Sequence, residues 1–114
     1  MDERQIEQLA RNEDLFRSVN DEIERVADRQ GTDSHEYEFF CECSDRSCTE
    51  KVTVTLAEYS HAREDPKRFL VVKGHVIQEI EHVVDAADDH VLIEKDGHAG
   101  RIALELDDNG RASG

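Results

Sequence analysis

Three cysteines fall within eight residues, Cys41, Cys43 and Cys48 in the run Phe39-Phe40-Cys41-Glu42-Cys43-Ser44-Asp45-Arg46-Ser47-Cys48, and the chain has no others. With 114 residues, it amounts to one small domain, near the size at which a single apolar core is marginal without a staple. Zinc binds thiolate strongly, structural zinc is held by four nitrogen or sulfur ligands in a tetrahedron, and Cys3His is a usual set. Three sulfurs are supplied locally, and six histidines offer the fourth ligand.

Strand alternation over residues 36–43 puts Cys41 and Cys43 on one face with Tyr37 and Phe39, and Glu36, Glu38 and Glu42 on the other. The turn-forming Ser44-Asp45-Arg46-Ser47 then brings Cys48 back toward them. The Cys-x-Cys-x4-Cys spacing differs from the Cys-x2-Cys pairs of common zinc ribbons. His75, after Gly74 at the end of the strand-like Arg68-Phe69-Leu70-Val71-Val72-Lys73, is the favoured fourth ligand, and His61 is the second choice. His35, His82, His90 and His98 are placed less well. The competing readings are inert buried thiols, a disulfide, or reactive thiols for redox sensing. Met1-Asp2-Glu3-Arg4-Gln5 is charged with no apolar run behind it, which gives the expectation of a reducing cytoplasm and disfavours the disulfide.

The chain carries 28 acidic against 14 basic residues, a net charge of −14. That argues against a protein whose main task is gripping nucleic-acid phosphates. Residues 76–109 hold ten acids and two bases. This acidic end reads as a solvated surface, as a face for a basic partner, or as a nucleic-acid mimic. No apolar run is long enough to span a membrane.

Residues 1–30 read as an N-terminal amphipathic helix, with Ile6, Leu9, Phe16, Val19, Ile23 and Val26 recurring at helical spacing. Leu9, Phe16, Val19 and Ile23 are the candidate partner-binding residues. The stripe either packs on the chain's own sheet or meets another helix, including that of a second copy in a homodimer. After a linker at Gln30-Gly31-Thr32-Asp33-Ser34, residues 36–107 read as a zinc-stabilised α+β domain, and 108–114 as a flexible tail. Within the domain the pattern predicts a hairpin over 36–43 and 50–56. A short helix follows, opened by the capping box Thr55-Leu56-Ala57-Glu58 and running to about Arg63. Next come a strand at 68–73, an irregular segment leading to a short strand near Val83-Val84, and strands at 90–95 and 101–106. In the last of these, Ile102, Leu104 and Leu106 alternate with polar or small residues. The fold class is α+β: a long N-terminal helix, then a small antiparallel sheet with one short helix and a zinc knuckle.

With these residues placed, the chain resembles a group of short, uncharacterised bacterial proteins of high-GC Gram-positive genomes. The resemblance rests on Arg11-Asn12-Glu13-Asp14-Leu15-Phe16-Arg17, Val19-Asn20-Asp21-Glu22-Ile23, Phe40-Cys41-Glu42-Cys43 with Cys48, Thr55-Leu56-Ala57-Glu58-Tyr59, Arg68-Phe69-Leu70-Val71-Val72 before Gly74-His75, and Val91-Leu92-Ile93-Glu94-Lys95. It implies that Cys41, Cys43, Cys48 and His75 form one recurring unit, and it implies no particular activity.

A Cys3His shell would be closed, and three thiolates would weaken zinc as a Lewis acid, so the site reads as structural. Glu42, on the opposite strand face, is poorly placed as a general base. No phosphate loop, serine elbow or His-Glu-x2-His motif occurs. The expectation is a small cytoplasmic, zinc-binding, non-enzymatic interaction or regulatory protein with a protein partner and no direct nucleic-acid or membrane binding. A thiol redox sensor and an acidic nucleic-acid mimic are the alternatives.

Overall fold

The computed structural model describes residues 2–28, 35–45 and 47–111. The expected linker at 30–34, Arg46 of the turn between the cysteines, and residues 112–114 lie outside them. The order is α1 (Glu3–Asp28), β1 (Glu36–Phe40), β2 (Lys51–Thr55), α2 (Leu56–Ala62), β3 (Arg68–Val72), β4 (Glu81–Ala86), β5 (His90–Lys95) and α3 (Gly97–Arg111). The class is α+β. The strands divide into two antiparallel sheets, a β1-β2 hairpin and a three-stranded sheet in the order β3-β5-β4. No described helix is long and apolar enough to cross a membrane.

The α2 start follows its sequence signal. Thr55 Oγ1 accepts from Glu58 N, and Glu58 Oε1 accepts from Thr55 N, each at 3.1 Å, which satisfies two N-terminal donors at once. Leu56, Tyr59 and Ala62 are its buried residues. They pack with Phe39, Val52 and Val54 of the hairpin and with Leu70 and Leu92 of the larger sheet. Tyr59 stacks on Phe39 with ring centroids 4.3 Å apart. The other face of β3 and β5 presents Phe69, Val71, Val91 and Ile93 to Cys41, Cys43 and Ala103. The cysteines therefore belong to the second apolar cluster.

Residues 101–106 are helical, against the expected strand. The alternation of Ile102, Leu104 and Leu106 hid a second pattern: Ala99, Ile102 and Ala103 are buried at helical spacing, while Leu104 is 39% exposed. The stretch read as a turn is the start of this helix, with Gly100 N donating to Asp96 O at 3.1 Å. Gly100 is required there, because a Cβ would lie 2.9 Å from Lys95 O.

The long helix α1 docks in an unexpected orientation. Ala10, Asn12, Glu13, Arg17, Asn20 and Ala27 are its buried residues. Leu9, Phe16 and Ile23 are only partly buried, and Leu15, Val19 and Val26 are 48%, 40% and 49% exposed. A largely polar face turns inward because its partners are polar. Asn12 Nδ2 donates to Ser44 O at 2.7 Å. Asn20 brackets the free edge of β1: its Nδ2 donates to Phe40 O and its Oδ1 accepts from Phe40 N, both at 2.7 Å. Glu13, fully buried, places Oε1 2.5 Å from Lys95 Nζ, which also pairs with Glu81 Oε2 at 2.7 Å. The Arg17 guanidinium lies over the Phe69 ring, 4.2 Å from its centroid, donates to Pro66 O and pairs with Asp14 at 3.1 Å.

Candidate metal centre

The hairpin, the turn after it and the end of β3 build one site. Cys41 N donates to Glu50 O at 3.1 Å, extending the β1-β2 pairing by a step. Glu42 then turns toward β3, donating its N–H to Leu70 O at 2.8 Å and accepting Leu70 N on Oε1 at 3.0 Å. Asp45 shapes the return to Cys48: its Oδ1 accepts from Ser47 N at 2.9 Å and Ser47 Oγ at 2.6 Å, and its carbonyl accepts from Cys48 N at 3.0 Å. Those Ser47 bonds hold the exposed Asp45 carboxyl below its ordinary pKa. From the other side, His75 N donates to Val72 O at 3.0 Å, closing a turn whose third residue, Gly74, has φ +93°. That left-handed backbone is costly for a residue with a Cβ.

The result brings Cys41, Cys43, Cys48 and His75 together, with one ligand atom from each and all within 4.8 Å of one another. His75 Nδ1 lies 3.4 Å from Cys41 Sγ and 3.8 Å from Cys48 Sγ. In a tetrahedral zinc site, bond lengths of about 2.3 Å to sulfur and about 2.0 Å to nitrogen correspond to S···S edges of about 3.8 Å and S···N edges of about 3.5 Å. The two S···N separations lie close to that edge length, and these four groups can hold a metal ion. His61, the second choice, stands on α2 outside this cluster, with Nδ1 3.6 Å from Glu64 Oε2.

His75 is oriented for ligation. Its Nε2 lies 2.8 Å from Glu50 Oε2, so the ring N–H donates there and the lone pair of Nδ1 faces the sulfurs, as in carboxylate–histidine–metal arrangements. Val72 N donates to Cys41 Sγ at 3.1 Å, supporting thiolate charge. Cys43 ionises most readily, its pKa brought down to about 5 chiefly by the hydrogen bond with Cys41, while burial opposes. Cys41 is pushed up by that same bond and by burial, and Cys48 is pushed up chiefly by burial. One thiolate forms easily and the next two are resisted, by burial and by the thiolate already formed. A bound cation relieves that resistance.

Glu50 escaped the sequence reading, and so did the burial and bonding of Glu42. Glu42 does point away from the thiols, yet it is fully buried. Its Oε2 accepts from Asn20 Nδ2 and from the Tyr59 hydroxyl, each at 2.9 Å. It ties the knuckle to α1 and α2, and burial raises its pKa above the ordinary carboxylate value. Strand alternation carries no signal for this, since both faces of the segment are covered. No family model, curated protein or solved structure matches the chain.

Proposed function

We propose that this is a zinc-stabilised, non-enzymatic interaction domain that acts in the cytoplasm and in a regulatory role. The observation that carries the reading is the convergence of three thiols and an oriented imidazole, contributed by two segments of the chain, with all four ligand atoms within 4.8 Å of one another. Zinc is favoured because Cys3His is a usual structural zinc set, and the resemblance seen in the sequence implies the same four residues. Bound there, zinc would cross-link the hairpin to the end of β3. Four protein ligands fill a tetrahedron and leave no position for substrate, and three thiolates blunt the Lewis acidity that catalysis requires.

Elemental analysis of protein purified without a histidine tag, with a thiol count before and after chelation, tests this. One zinc per chain with the thiols protected until chelation is expected. Metal-free protein with three freely reactive thiols would overturn it. A thiol redox sensor is the second reading, favoured by Cys48 and His75, which are only partly buried. Peroxide would take two electrons from a pair of these thiolates, forming a disulfide and water, and the metal would leave. Release at low peroxide, reversed by reductant, would favour the sensor, whereas resistance favours a structural site.

A further inference from the structure

Half of the large exposed apolar side chains among the described residues sit on one face of α1: Leu15, Val19 and Val26, out of a set completed by Val83, Val84 and Leu104. With Ile23, Ala27 and Tyr37 they line an open groove of about 680 Å³ between α1 and β1. Because α1 docks through its polar face, this stripe is left over from folding, and contiguous exposed apolar surface of this kind marks interaction sites. The stripe contains one charge. Glu22 follows Val19 by three residues and precedes Val26 by four, its side chain is 60% exposed, and it pairs with Arg25, itself 62% exposed.

Glu22 selects among occupants. In an antiparallel pairing of two α1 helices centred on the groove, Leu15 would meet Val26 and Val19 would meet Glu22. Each Glu22 carboxylate would then be covered by a valine of the other copy, at a desolvation cost with no compensating cation from that copy. Two chains of net charge −14 would also repel. A helix with an apolar stripe interrupted by lysine or arginine resolves both problems, since it brings a cation to Glu22 and opposite charge to an acidic chain.

We infer that this groove takes a basic amphipathic helix of a partner protein, seated by apolar side chains on Leu15, Val19 and Val26 with a lysine or arginine on Glu22. The inference rests on the interaction-domain reading and specifies its partner. It is tested by titrating isotopically labelled, metal-replete protein with a designed helical peptide, leucine on one face and lysine on the other, followed by amide NMR shifts. Shifts confined to α1 and β1 are expected, with affinity weakened roughly tenfold or more by Val19→Asp or Val26→Asp. A glutamate-for-lysine peptide should not bind wild type but should bind Glu22→Lys. Equal binding by wild type and the Val19→Asp/Val26→Asp double variant would overturn the groove, as would no binding at all. Self-association abolished by Val19→Asp would overturn it in favour of a second copy. Metal content measured on the same samples separates these failures from failure of the zinc assignment.

Discussion

The buried ion cluster beneath α1 and the thiol cluster of the knuckle are balanced in opposite ways. Beneath α1, Glu13 and Glu81 converge on Lys95, all three inaccessible to solvent or nearly so. The chain supplies both signs of charge. In the knuckle, Cys41, Cys43, Cys48 and His75 converge as electron-pair donors, and the thiols are perturbed chiefly by one another and by burial. The first cluster is complete within the sequence, whereas the second has the donor set of a site that a cation completes. Buried charge is tolerated only when compensated, so the contrast separates a structural ion pair from a metal centre by chemistry alone.

The largest effect should come from breaking the knuckle. Cys43→Ser should lose stoichiometric metal and with it most of the cooperative unfolding transition, because metal-binding energy in small domains is folding energy. A Cys43→Ser protein that melts like wild type and still carries one metal per chain would remove the distinction between the clusters. The ion cluster should fail by another route. Lys95→Met leaves the buried Glu81 carboxylate without its cation and should destabilise by about 3–5 kcal/mol near neutral pH. Acidification should recover part of that loss, because a protonated carboxyl no longer needs it. A small, pH-independent loss in denaturant titrations would show that Lys95 is not the compensating charge. The third effect is finer: Glu50→Gln keeps the shape but weakens the acceptor for His75 Nε2, and metal affinity in competition with a chromophoric chelator should fall about 10- to 100-fold. Unchanged affinity would mean that the turn at Gly74 alone orients the ring.

The two clusters also differed in how far the sequence revealed them. The knuckle was legible because cysteine is scarce and its chemistry narrow: three thiols, a turn and a Gly-His pair led to the four residues that the fold brings together. The hairpin, the capping box of α2 and strands β3 and β5 were legible from alternation and local hydrogen-bonding chemistry. The ion cluster was not, because its members look like surface charges. One signal existed in β5, where alternation puts Lys95 on the same face as the buried Val91 and Ile93. Nothing comparable marked Glu13, Arg17 or Asn20. Hydrophobic periodicity chose the stripe of Leu9, Phe16, Val19 and Ile23 as the working face of α1, whereas specific polar partners decided which face docks. In α3, glycine and alternation together imitated a turn and a strand, because small buried residues such as Ala99 and Ala103 contribute little to an apolar pattern.

The smallest expected effect, in pH dependence, sharpens the comparison most. Burial holds the Glu13 pKa well above its ordinary 4.5, with Lys95 opposing and neighbouring Glu81 adding to the rise. A neutral Glu13 leaves Lys95 and Glu81 as a one-to-one ion pair. The folded state therefore retains a proton on Glu13 at pH values where the unfolded chain has released it. Stability linked to this group is fully present below the unfolded pKa and is lost as pH rises through the folded one. Glu42, also raised by burial, contributes in the same direction. Denaturation midpoints of metal-saturated protein should thus fall as pH rises above the ordinary carboxylate pKa, and Glu13→Gln should flatten that slope while leaving the part due to Glu42. Identical slopes in wild type and Glu13→Gln would mean that Glu13 is ionised within the fold. The cluster under α1 would then carry an uncompensated charge, and the claim that it is complete within the sequence would fail.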